Sequence, residues 1–128
     1  MDASTTHGAF SWNELCADDP AAAEAFYGQL FGWQVQAMDM GEFGTYRVAK
    51  VGDAMVAGIM APPPGEAAGP KGWSSYVTVD DVDACVAQAV ALGATVCVPA
   101  MDVPTVGRMA TLRDPQGAMI SVITYNAD

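Results

Sequence analysis

Basic residues are scarce: five Lys and Arg stand against fifteen Asp and Glu, a formal charge of −10. Arg47, Lys50, Lys71, Arg108 and Arg113 are scattered, so no cluster exists to grip a phosphate backbone, and a nucleic-acid partner is excluded as an expectation. Histidine is scarcer still, with His7 alone, which leaves few imidazoles for a metal site. No apolar run approaches the ~20 residues that a membrane span needs. The N-terminus, MDASTTHGAFSW, lacks a basic region followed by an apolar stretch, so no secretory leader and a cytoplasmic location are expected. Three cysteines (Cys16, Cys85, Cys97) are an odd number without metal-type spacing and read as free thiols in a reducing compartment. A Gly-rich phosphate loop and a Gly-x-Ser-x-Gly elbow are both missing.

What is present is apolar and periodic. Hydrophobic residues make up 52% of the 128 positions, enough for one domain with its own core. The chain also repeats itself. Glu14 to Tyr27 and Tyr76 to Ala89 each read as a strand end, an Asp-Asp pair and an Ala-rich helix; the glycines Gly32 and Gly93 follow. The two Asp-Asp pairs are 62 residues apart, so the chain is read as a duplication.

Local chemistry sets the elements. Asp19 before Pro20 is a helix N-cap with proline in the first turn, and Gly32 is a left-handed cap. Ala22, Phe26 and Leu30 are expected to form the stripe that packs this helix on a sheet. In the second copy Asp81 caps, and Val82, Cys85, Val86, Ala89 and Leu92 are the corresponding stripe, which makes Cys85 a core residue rather than a nucleophile. Strands are expected over Trp33–Met38, Thr45–Val51, Ala54–Met60, Val96–Val98, Arg108–Leu112 and Ala118–Thr124, with turns at Gly52-Asp53 and Asp114-Pro-Gln-Gly117. Residues 62–72, rich in Pro and Gly, read as a linker. Module one therefore covers about 8–61 and module two about 73–126 of a single domain spanning 1–128.

Three segments carry a likeness: Asp19 to Trp33, Val79 to Ala84 with Leu92-Gly-Ala94, and Gly107 to Ala118. From about Phe10 to Tyr125 the chain resembles the glyoxalase, bleomycin-resistance and extradiol-dioxygenase superfamily, also called vicinal oxygen chelate. The resemblance implies an α+β fold: two tandem βαβββ modules forming a curved eight-stranded mixed sheet around a cleft, helices on the convex side, commonly assembled as a homodimer. It also implies a divalent metal held by His or Glu from the first and last strand of each module. Those positions fall on Trp12, on Ala57 or Gly58, on Ser74 and on Ser121. Such side chains do not bind first-row metals, so no metal and no cofactor is expected. A shifted site from Glu14 and His7 is the alternative.

Residues in phase with these positions mark the expected ligand face: Trp12, Glu14, Ser74, Tyr76 and Ser121, with Arg108 able either to reach a ligand acid or to sit at the surface. Trp12 and Tyr76 can equally be core filling. The leading expectation is a small-molecule binding protein of the glyoxalase and bleomycin-resistance type. The alternative is a lyase, isomerase or dioxygenase-like enzyme, metal-free with Glu14 as base or using a non-standard metal site.

Overall fold

A computed structural model describes residues 1–41, 44–62 and 71–127. Its elements run β1 (Phe10–Cys16), α1 (Pro20–Phe31), β2 (Gln34–Asp39), β3 (Thr45–Val51), β4 (Ala54–Met60), β5 (Gly72–Thr78), α2 (Val82–Ala91), β6 (Thr95–Val103), β7 (Gly107–Arg113) and β8 (Met119–Tyr125). This is βαβββ twice, as the duplication requires, in the α+β class with mixed pairing. In the first copy β1 pairs in parallel with β4, while β4 with β3 and β3 with β2 are antiparallel. The second copy repeats the pattern, β5 parallel to β8 and then β7 and β6 antiparallel.

The chain forms two compact units, Trp12–Ser74 and Met1–Ser11 with Ser75–Asp128. The first eleven residues thus belong with the second copy rather than the first. Gly8 N–H donates to the Thr78 carbonyl and Thr78 N–H to the Ala9 carbonyl, each at 2.8 Å, and Thr78 Oγ1 donates to the Ala3 carbonyl. Most of the expected linker, residues 63–70, lies outside the described residues.

Both helix starts follow from their caps. Asp19 accepts from Ala22 N–H and Asp81 from Ala84 N–H, each at 3.1 Å, filling donors that a helix start leaves open. Gly32, at φ 75°, ends α1 in the left-handed region. At the second turn the Asp114 carboxylate accepts from Gln116 and Ala118 N–H. Strand β6 is longer than Val96–Val98: it reaches Val103 as an edge strand, and register shifts on both sides of Val98 accommodate Pro99.

Packing differs between the two helices. Val82 on α2 joins Val79, Ala110, Leu112 and Val122 in a buried cluster, with Cys85, Val86 and Ala89 against it. Leu92 does not join and is 71% exposed. On α1 the expected stripe is corrected. Ala22 is exposed, Phe26 and Leu30 are 59% and 57% exposed, and no residue of the helix is buried. Ala23 and Tyr27, one position further on, are the more shielded ones. The core of this unit is Leu15, Val48, Ala49, Ala57 and Ile59, from β1, β3 and β4.

Candidate functional site

Strand alternation sorts each unit into a helix side and an opposite side. In the Trp12–Ser74 unit Arg47 is opposite Ile59, and its Nε donates to Glu24 on α1 at 3.0 Å, so Arg47, Ile59, Ala57 and Leu15 face the helix. Glu14, Val48 and Gly58, aligned across the three strands, face the other way. Of the two candidates on β4, the register therefore selects Gly58, opposite Glu14, and turns Ala57 to the core.

Tyr46 fills the space over Gly58. A side chain on Gly58 would collide with the Tyr46 hydroxyl and ring. The hydroxyl accepts from Trp12 Nε1 and donates to Glu14 Oε2, both at 2.8 Å. Trp12, Tyr46 and Glu14 are all half-buried. Ser74 is nearby, its Oγ 3.5 Å from the Glu14 carbonyl, a contact at the limit of hydrogen bonding. The result is a carboxylate beside two aromatic rings on the face away from the helix. Tyr46 escaped the sequence reading because it lies 32 residues from Glu14 and outside every expected ligand position. A glycine inside β4 was the available signal, since strand glycines mark close approach of another group.

In the other unit the corresponding face is tighter. Tyr76 pairs with Ser121, and both are buried. The Ser121 and Thr111 hydroxyls are 2.8 Å apart across β8 and β7, so the serine has a partner within the sheet. Arg108 is placed elsewhere. Nε and Nη2 hold both oxygens of Asp83, and Nη1 donates to Asp102. His7 accepts through Nδ1 from Asp80 N–H at 3.0 Å. Among the described residues no three His, Cys, Asp or Glu side chains converge as a metal site would require.

Two thiols, Cys16 and Cys85, are pushed away from the thiolate form. Burial, and then the negative charges of Glu14 and Asp18, push Cys16 up from its usual range; burial alone raises Cys85. Cys97 Sγ lies 3.7 Å from Met119 Sδ, a soft packing contact.

A family model described as the Glyoxalase/Bleomycin resistance protein/Dioxygenase superfamily matches residues 9–122. The chain belongs to this superfamily. Among its curated relatives, "Putative glyoxylase CFP32" of Mycobacterium tuberculosis is 46% identical over 117 residues, covering 91% of this chain and 44% of that protein. "Anthracycline biosynthesis protein DnrV" of Streptomyces peucetius is 31% identical over 127 residues, covering 90% and 46%. The chain thus spans about half the length of these curated relatives. Solved structures share the fold: methylmalonyl-CoA epimerase of Streptomyces coelicolor has a TM-score of 0.68 at 18% identity, over 95% of this chain and all of that one. A hypothetical protein from Bacillus halodurans has 0.71 at 10% identity, over 96% and 98%.

Proposed function

We propose that this superfamily member binds a small molecule through Trp12, Tyr46 and Glu14, without a metal ion. The observation that carries the reading is the Tyr46 hydroxyl held between Trp12 Nε1 and Glu14 Oε2. That bridge fixes two aromatic rings and orients one carboxylate oxygen, leaving the group to accept from a hydroxyl or ammonium of a ligand with a flat apolar body. The side chains where the family's metal ligands would stand are Trp12, Gly58, Ser74 and Ser121, and an indole N–H, a glycine and two serines do not fit a divalent ion. The chain's charge of −10 favours a cationic ligand over an anionic one. Three free cysteines support a reducing, cytoplasmic setting.

Calorimetric titration with doxorubicin and with bleomycin tests this, the first chosen because a relative is named for anthracycline biosynthesis. Saturable binding is expected, weakened about tenfold, or about 1.4 kcal/mol, in Glu14→Gln. No heat from either probe, or binding that Glu14→Gln leaves untouched, overturns the reading. Turnover of a thioester or catechol that depends on a protein-bound metal does so as well.

A further inference from the structure

Strand β2 is an open sheet edge. Its six residues pair with β3 in unbroken antiparallel register, and among the described residues no strand lies along its other side. Met40 N–H donates to the Gly44 carbonyl at 2.8 Å, which marks that pair as hydrogen-bonded. Such pairs recur at every second residue, so Gln34, Gln36 and Met38 direct their backbone groups to β3, and Val35, Ala37 and Asp39 direct theirs outward. The edge strand of the other unit, β6, is blunted by Pro99 and two register shifts. By contrast β2 has no proline, no bulge and no basic residue, and its one acid, Asp39, stands at its end. An edge left unguarded in this way is a template for another strand.

Beside β2, on its helix side, is a groove of about 370 Å³. Ala21, Ala25 and Gly28 of α1 form one wall, and Trp33 and Val35 the other. Glu24 and Gln29 are its polar members, and Glu24 is held by Arg47 Nε.

We propose that β2 takes an extended basic peptide as an added strand. The outward N–H and C=O groups of Val35, Ala37 and Asp39 supply main-chain hydrogen bonds, whatever the peptide's sequence. Alternate side chains of the added strand turn to the helix side, where the groove admits apolar ones because Ala21, Ala25 and Gly28 leave it unfilled. Charge selects the occupant. The chain carries −10, which draws a peptide bearing Lys or Arg and repels both an acidic one and a second copy of itself. This site is a strand edge with its helix-side groove, so it stands or falls apart from ligand binding beside Glu14.

Fluorescence anisotropy decides it, with a labelled, capped hexapeptide of alternating Lys and Ile titrated with the full chain. Saturable binding is expected, weakened about tenfold or more in Ala37→Pro. The Ala37 N–H points away from β3, so proline there removes an outward donor and obstructs the edge without breaking the ladder. Ala25→Met, which fills the groove from α1, should weaken the peptide independently. Circular dichroism melts verify that both variants fold. Absence of binding overturns the proposal. So does equal binding of the Glu-Ile analogue or of the fully N-methylated peptide, or an affinity that both folded variants leave unchanged. A sedimentation mass of two copies that falls to one in Ala37→Pro overturns it as well, since the edge then belongs to a second copy.

Discussion

Tyr46 gives Trp12 and Glu14 a geometry that neither has alone. The indole is a donor only and the ionised carboxylate an acceptor only; the phenol between them serves both. Tyr46→Phe keeps the ring over Gly58 but removes the bridge, so two half-buried polar groups lose a partner. A loss of about 1–3 kcal/mol is expected in urea unfolding, with ligand binding reduced. Gly58→Ala attacks the same site from below by driving the ring away, and should cost about 1–3 kcal/mol as overpacking does. If Gly58→Ala unfolds at the wild-type urea concentration, Tyr46 does not lie where the geometry puts it. Part of this site was legible. Trp12 and Glu14 were placed on one face by strand alternation, a period-two rule that needs no tertiary knowledge. Tyr46 was not, because cross-strand register between β1, β4 and β3 decides it. Arg108 could not be assigned either: its acids, Asp83 and Asp102, lie on α2 and β6, and only the folded register of β7 brings them to it.

Elements built on local chemistry were the most readable. An Asp cap acts within three residues, so Asp19-Pro20 and Asp81 mark where α1 and α2 start. Replacing either Asp with Ala should cost about 1 kcal/mol, measured by thermal melts, since one helix-start donor loses its acceptor in each case. The packing stripe of α1 was misplaced: Ala22, Phe26 and Leu30 are exposed, and the shielded side passes through Ala23 and Tyr27, one residue further on, because periodicity in an Ala-rich helix does not fix which side meets the sheet. Arg108 ties β7 to the first turn of α2, and its hydrogen bonds hold the Asp83 carboxyl below the ordinary carboxylate range. A lowered carboxylate contributes stability above its unfolded value of 3.8, and loses it as pH falls through the depressed folded value. The pair is exposed, so the effect is small. Arg108→Gln should therefore be less stable than wild type at neutral pH, the gap closing in acid. A gap that widens below the carboxylate range would remove Arg108 as the cause.

At the scale of the whole molecule, fifteen acids against five bases set how copies meet. Association through an uncharged face leaves the rest of each surface repelling its counterpart, and that repulsion is long-ranged only while salt is low. The screening length shrinks from about 30 Å at 0.01 M to about 10 Å at 0.1 M ionic strength. Sodium chloride should therefore strengthen any association of copies through an uncharged face, because it weakens the opposing term and leaves apolar burial intact. Acidification toward the isoelectric point near 4.1 should act in the same direction by removing the charge itself. An interface held by ion pairs has the opposite slope: salt would screen the attraction and dissociate it. Sedimentation equilibrium across a sodium chloride series distinguishes the two. A dissociation constant that rises with salt would rule out an uncharged seam, which has no charge for salt to screen.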